Sequence, residues 1–165
     1  MHLRFLAPEV PHYVLPEAVA DLVTSCKRGA HLYWTECEFP TTNSAVCEQL
    51  LSYILQGLKA QGRGYALGGN TLGITACMGP LLRDSRCRLT QDRACVLDIS
   101  AGMPAHHAFV QQARVLTQQI RPLVVEAGVV RCEVYDTMVM QALEQMREAH
   151  FCGALFVRSV VAVVP

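Results

Sequence analysis

Thr75-Ala76-Cys77-Met78-Gly79 echoes the nucleophile elbow, in which small neighbours permit a strained turn that exposes a reactive side chain. Cys77 is the candidate nucleophile of that segment. Its first small position holds Thr, and Pro80 stands where a helix would begin, which a helix entry tolerates. A buried thiol is the plainer reading, and the sequence favours it. Cys47 has a different claim. With Ser44 as N-cap it sits in a first helical turn, where the helix dipole lowers a thiol pKa, but the buried face of that helix explains it better.

Two carboxylates close apolar runs. Asp98 follows ACVL and Asp136 follows VVRCEVY. Ligands of open α/β sheets bind beyond the carboxyl ends of parallel strands, where a carboxylate pair can hold a cation or divide acid and base roles. Asp136 also has a simple use as an N-cap. His106-His107 precedes a long helical pattern. Adjacent helical residues point about 100° apart, so they do not chelate as an i, i+4 pair does. Cys77, Asp98, His106 and His107 together make the alternative catalytic set: cysteine-dependent acyl transfer, or metal-assisted hydrolysis, at the carboxyl edge of the sheet. No C-x-x-C occurs, and His150-Phe151-Cys152 has no compact set of further ligands, so neither a metal site nor a cofactor is expected.

GYALGGNTLG, residues 64–73, is the stretch most like a ligand loop. Gly64 and Gly69 have P-loop spacing, but Asn70-Thr71 stands where Lys-Ser or Lys-Thr belongs. Gly62, Gly64 and Gly68 give a loose dinucleotide-like spacing. Both patterns need a preceding strand, and a helical pattern precedes them. The expectation is a connection that needs positive φ or close backbone passage, with no phosphate in it.

These residues hang on an alternating order of elements. His2 to Leu6 reads as a short strand, PEAVADLVTSCKRG as a helix entered at Pro16, and AHLYWTECEF as a strand. Asn43 or Ser44 caps a helix whose stripe is Val46, Leu50, Leu51, Ile54, Leu55 and Leu58. Ile74 to Met78 reads as a strand broken by Gly79-Pro80. Arg86 to Ser100 holds another. A long helix follows Pro104, with Pro122 expected to kink or end it. VVRCEVY reads as a strand, DTMVMQALEQMREAH as a helix capped by Asp136, and ALFVRSVVAVV as the last strand. The expected fold is a single α/β domain over 1–165: a mixed sheet of about six strands with about four helices and βαβ crossovers.

Composition narrows the function. The chain is 165 residues long, 52% hydrophobic and only 17% charged, so its polar surface is thin and apolar surface is left for a partner. Fourteen basic residues balance fourteen acidic ones, which argues against nucleic acid. The opening MHLRFLAPEVPHYVLP is too broken for a secretory leader, and GALFVRSVVAVVP is too short to span a bilayer. Eight evenly spread cysteines then read as reduced thiols in the cytoplasm or nucleus. Met140 falls on an outer helix face, and Trp34 or its neighbour Tyr33 points outward from a strand. Met140 and Trp34 are therefore the expected protein contacts. The function expected is a non-catalytic, intracellular protein-binding or assembly subunit of a complex or homo-oligomer. No small-molecule ligand is assigned.

Overall fold

Apolar residues three to four positions apart place most of the helices, and a computed structural model describes residues 1–6, 8–66, 68 and 71–165. The helices are α1 (Leu15–Thr24), α2 (Ala45–Ala60), α3 (Ile74–Asp84), α4 (His106–Glu126) and α5 (Cys132–Gln145). The strands are β1 (His2–Arg4), β2 (His31–Cys37), β3 (Thr41–Thr42), β4 (Arg88–Asp98) and β5 (Gly153–Val163). They form an open mixed sheet of order β1-β2-β5-β3, with β4 paired to β5. The class is α/β as expected, with five strands rather than six and five helices rather than four among the described residues.

The chain divides into two compact units. The first holds Met1–Glu38, Gly62–Cys95 and Phe156–Pro165. In it β1 runs parallel to β2, with α1 connecting them, and β2 runs antiparallel to β5 from His31↔Val163 to Cys37↔Val157. Alternation along β2 is strict enough to decide its faces: Leu32, Trp34 and Glu36 are buried, while His31 and Tyr33 are exposed. Leu15, Val19 and Val23 of α1, Ile74, Met78 and Leu82 of α3, and Val160 and Ala162 of β5 complete this core.

The second unit holds Phe39–Gln61 and Val96–Leu155. It is a cluster of α2, α4 and α5, with β3 pairing antiparallel to the start of β5. Ser44 caps α2: its Oγ accepts from the Cys47 amide at 3.0 Å and donates to Gln145 Oε1 at 2.5 Å. Tyr135 is buried and donates its hydroxyl to the Thr117 carbonyl at 2.8 Å. Gly57 lets α2 approach α4, because a Cβ there would lie 2.9 Å from Val124 Cα.

Two expected strands are helices. Ile74, Met78 and Leu82 recur every four residues and bury one face, so α3 runs through Gly79 and Pro80 rather than stopping there. Likewise Tyr135, Ala142 and Met146 lie on one helical face, which overrides the β-branched look of VVRCEVY. Asp136 therefore falls inside α5, where it pairs with Arg121 at 2.7 Å instead of capping. Pro122 lies inside α4 without ending it.

A methyl group at Gly57 tests the α2–α4 contact. Helix propensity favours Ala by about 1 kcal/mol, but overpacking against backbone costs about 1–3 kcal/mol. Gly57→Ala is expected to lower the urea denaturation midpoint, with a net loss of about 1 kcal/mol.

Candidate functional site: the β4 edge

In RLTQDRACVLD the β-branched Thr90 and Val96 and the short apolar run ACVL favour the strand β4. Buried residues pin both ends. Cys87, just before the strand, is buried in the first unit and Ile99, just after it, in the second, at 5% and 0% exposure. Arg86 turns the chain into β4 in the left-handed region, with φ 61°. Asp98 turns it out again: its Oδ1 accepts from the Ser100 amide at 2.9 Å, and the hydrogen bonds from Ser100 hold the carboxyl below its usual range. The Ile99 amide bonds the Gly153 carbonyl at 2.9 Å, and the Gly153 amide bonds Ser100 Oγ at 3.1 Å.

On one side β4 is firmly held. Thr90 Oγ1 donates to the Val161 carbonyl at 3.1 Å. Arg158 of β5 forks onto Asp92, with Nε–Oδ1 at 2.9 Å and Nη2–Oδ2 at 2.6 Å. That fork draws the Asp92 carboxyl below its usual range. Its other side pairs with no strand among the described residues. Every residue from Thr90 to Asp98 is exposed, on both faces, including Val96 at 66% and Leu97 at 42%. Its C-terminal half, ACVL, reads as an apolar run, and among the described residues the strand is a long uncovered edge. Such edges are templates for another strand.

An open cleft of about 500 Å³ lies beside the end of β4 in the second unit, with Val96 and Asp98 on one wall and Thr42, Asn43 and Cys152 among the others.

The remaining candidates scatter. Cys77 lies within α3 of the first unit, in a helix and not at a strand-to-helix elbow. Its Sγ donates to the Gly73 carbonyl at 3.5 Å, and burial, followed by the Glu38 charge, pushes the thiol pKa up. Asp98, His106 and His107 belong to the second unit. His106 Nδ1 lies 2.9 Å from the Ile99 carbonyl and its ring packs on Phe151 at 5.8 Å, while His107 is exposed. No cluster of three or more His, Cys, Asp or Glu side chains suited to a metal occurs among the described residues. Trp34 is the inward member of its pair, fully buried, with its indole donating to Glu36 Oε1 at 2.7 Å, so it is not a surface contact. Tyr33 is the outward one, 41% exposed and stacked on His2 at 4.6 Å. Met140 stands 62% exposed on α5.

Gly69 and Asn70 of the glycine-rich stretch lie outside the described residues. Around them, the Tyr65 and Ala66 amides bond the Leu72 carbonyl, and Gly73 enters α3 at φ 83°. A Cβ at Gly73 would lie 2.7 Å from the Ala66 amide nitrogen, so only glycine fits. Amides at the entrance of α3 already have an anion. Glu38 accepts from Gly73 N at 2.8 Å, Thr75 N at 3.1 Å and Thr75 Oγ1 at 2.6 Å. Sequence reasoning missed this cap, because nothing local links residue 38 to residue 73.

No protein-family profile matches the chain, and no curated protein sequence matches it.

Thiol accessibility checks this geometry. In dilute native protein, iodoacetamide is expected to modify the exposed Cys95 and Cys152 first, Cys77 and Cys37 slowly, and the buried Cys47 and Cys87 last. Burial puts the Cys37 thiol at about 11. Mass mapping of the labelled peptides reads the order, and Cys77 outpacing Cys95 contradicts the burial described.

Proposed function

We propose that the chain is a non-catalytic assembly subunit whose contact element is the free edge of β4, and that it associates with itself. The observation carrying this reading is a strand of eleven residues anchored at both ends, bonded along one side and exposed on both faces over residues 90–98. An edge of that length, with apolar Val96 and Leu97 in the open, offers another strand a template for pairing. The low charged fraction, 17%, agrees, because little ionic surface is present to keep such an edge apart from others. Exposed Met140 on α5 offers adaptable contact surface in the same role. Free thiols exposed at Cys95 and Cys152 suit a reducing compartment, the cytoplasm or nucleus.

The acyl-transfer alternative needs an ionised thiol at Cys77. Burial moves that thiol the other way, and no observation favours the alternative over the edge.

Sedimentation velocity tests the proposal. The weight-average sedimentation coefficient is expected to rise with protein concentration through the micromolar range. Strictly monomeric sedimentation throughout overturns the reading.

A further inference from the structure

We propose that two copies of this chain pair their β4 strands antiparallel about a twofold axis at Arg93. This rests on the assembly reading above and adds to it the identity of the partner and the register.

Symmetry limits the choices. When a strand pairs antiparallel with its own copy, the twofold axis stands perpendicular to the sheet and passes beside one residue, which faces itself. Moving the axis by one residue shifts every pair, so each register can be judged from the side chains it opposes. With the axis at Arg93, the midpoint of β4, all eleven residues are used. Arg88 faces Asp98, Leu89 faces Leu97 and Thr90 faces Val96, and symmetry repeats each pair. Opposite charges thus close both ends, with apolar or β-branched pairs inside them. Gln91 faces Cys95 and Asp92 faces Ala94.

Neighbouring registers are worse. An axis at Asp92 sets Asp92 against itself and Arg88 against Val96, leaving Leu97 and Asp98 unpaired. With the axis at Ala94, Asp92 faces Val96 and Gln91 faces Leu97, both polar against apolar. An axis at Cys95 sets Asp92 against Asp98. Only the Arg93 register joins the strand's basic end to its acidic end.

The surroundings of Asp98 fit an incoming guanidinium. Asp98 is exposed and lines the cleft of about 500 Å³ together with Thr42 and Asn43, so Arg88 of the second copy meets an anion at an open, partly polar hollow. One unfavourable contact remains. The two Arg93 side chains face each other at the axis and repel, although both are exposed and can turn into solvent. Asp92 does not relieve it, since it is held by Arg158.

A charge-swap cycle read by sedimentation tests the register. Circular dichroism first confirms that each variant is folded; if Asp98→Arg is not, Asp98→Asn keeps an acceptor for the Ser100 amide and removes the charge. Asp98→Arg and Arg88→Asp are each expected to weaken dimerisation by about tenfold, since each puts like charges opposite one another twice. The double variant Arg88→Asp/Asp98→Arg is expected to recover affinity to within about threefold of the starting protein. Arg93→Gln is expected to tighten it severalfold. If the starting protein dimerises but the double variant stays as weak as the single ones, or Arg93→Gln changes nothing, the register is overturned and the assembly reading stands. A starting protein that never dimerises overturns both.

Discussion

A β-strand carries hydrogen-bonding groups along two sides, and β4 has satisfied one of them. Its bonds to β5, the Arg158–Asp92 fork and the buried ends at Cys87 and Ile99 hold the strand in place. Every residue from Thr90 to Asp98 is exposed. The combination matters. A loose segment with the same residues would be an ordinary loop, whereas a fixed one presents an ordered row of amides and carbonyls. Ordering entropy has already been spent, so a second strand loses little more on docking.

Within the first unit, polar groups do structural work at positions that resemble active-site parts. Glu38 fills the amide-lined entrance of α3. Glu36 is buried beside Trp34 and accepts its indole proton together with the Leu6 amide at 2.8 Å. Arg158 spends its guanidinium on Asp92 and the Thr75 carbonyl. Such satisfied groups stabilise a fold.

Much of the element order was legible. α1, α2 and α4 declare themselves through apolar stripes of helical period, and β5 through a long apolar run rich in valine. The two segments that form helices in place of the expected strands share a physical cause. Short apolar segments such as 74–78 and 129–135 fit either period over a few residues, and the choice was made by partners farther along the chain. Leu82 settles one, Ala142 and Met146 the other. The candidate site was half legible. ACVLD is legible as a strand, but nothing local says that both its faces stay exposed.

By itself, then, the sequence determined what depends on neighbours a few residues apart: helical stripes, the Ser44 cap, the glycine at 73, the charge balance and the absence of paired-cysteine motifs. Tertiary structure alone decided what depends on distant residues. It turned Trp34 inward and Tyr33 outward, brought Glu38 to α3, separated Cys77 from Asp98 into different units and left β4 uncovered. The physical reason is that alternation along a strand defines two faces without saying what, if anything, will lie against them.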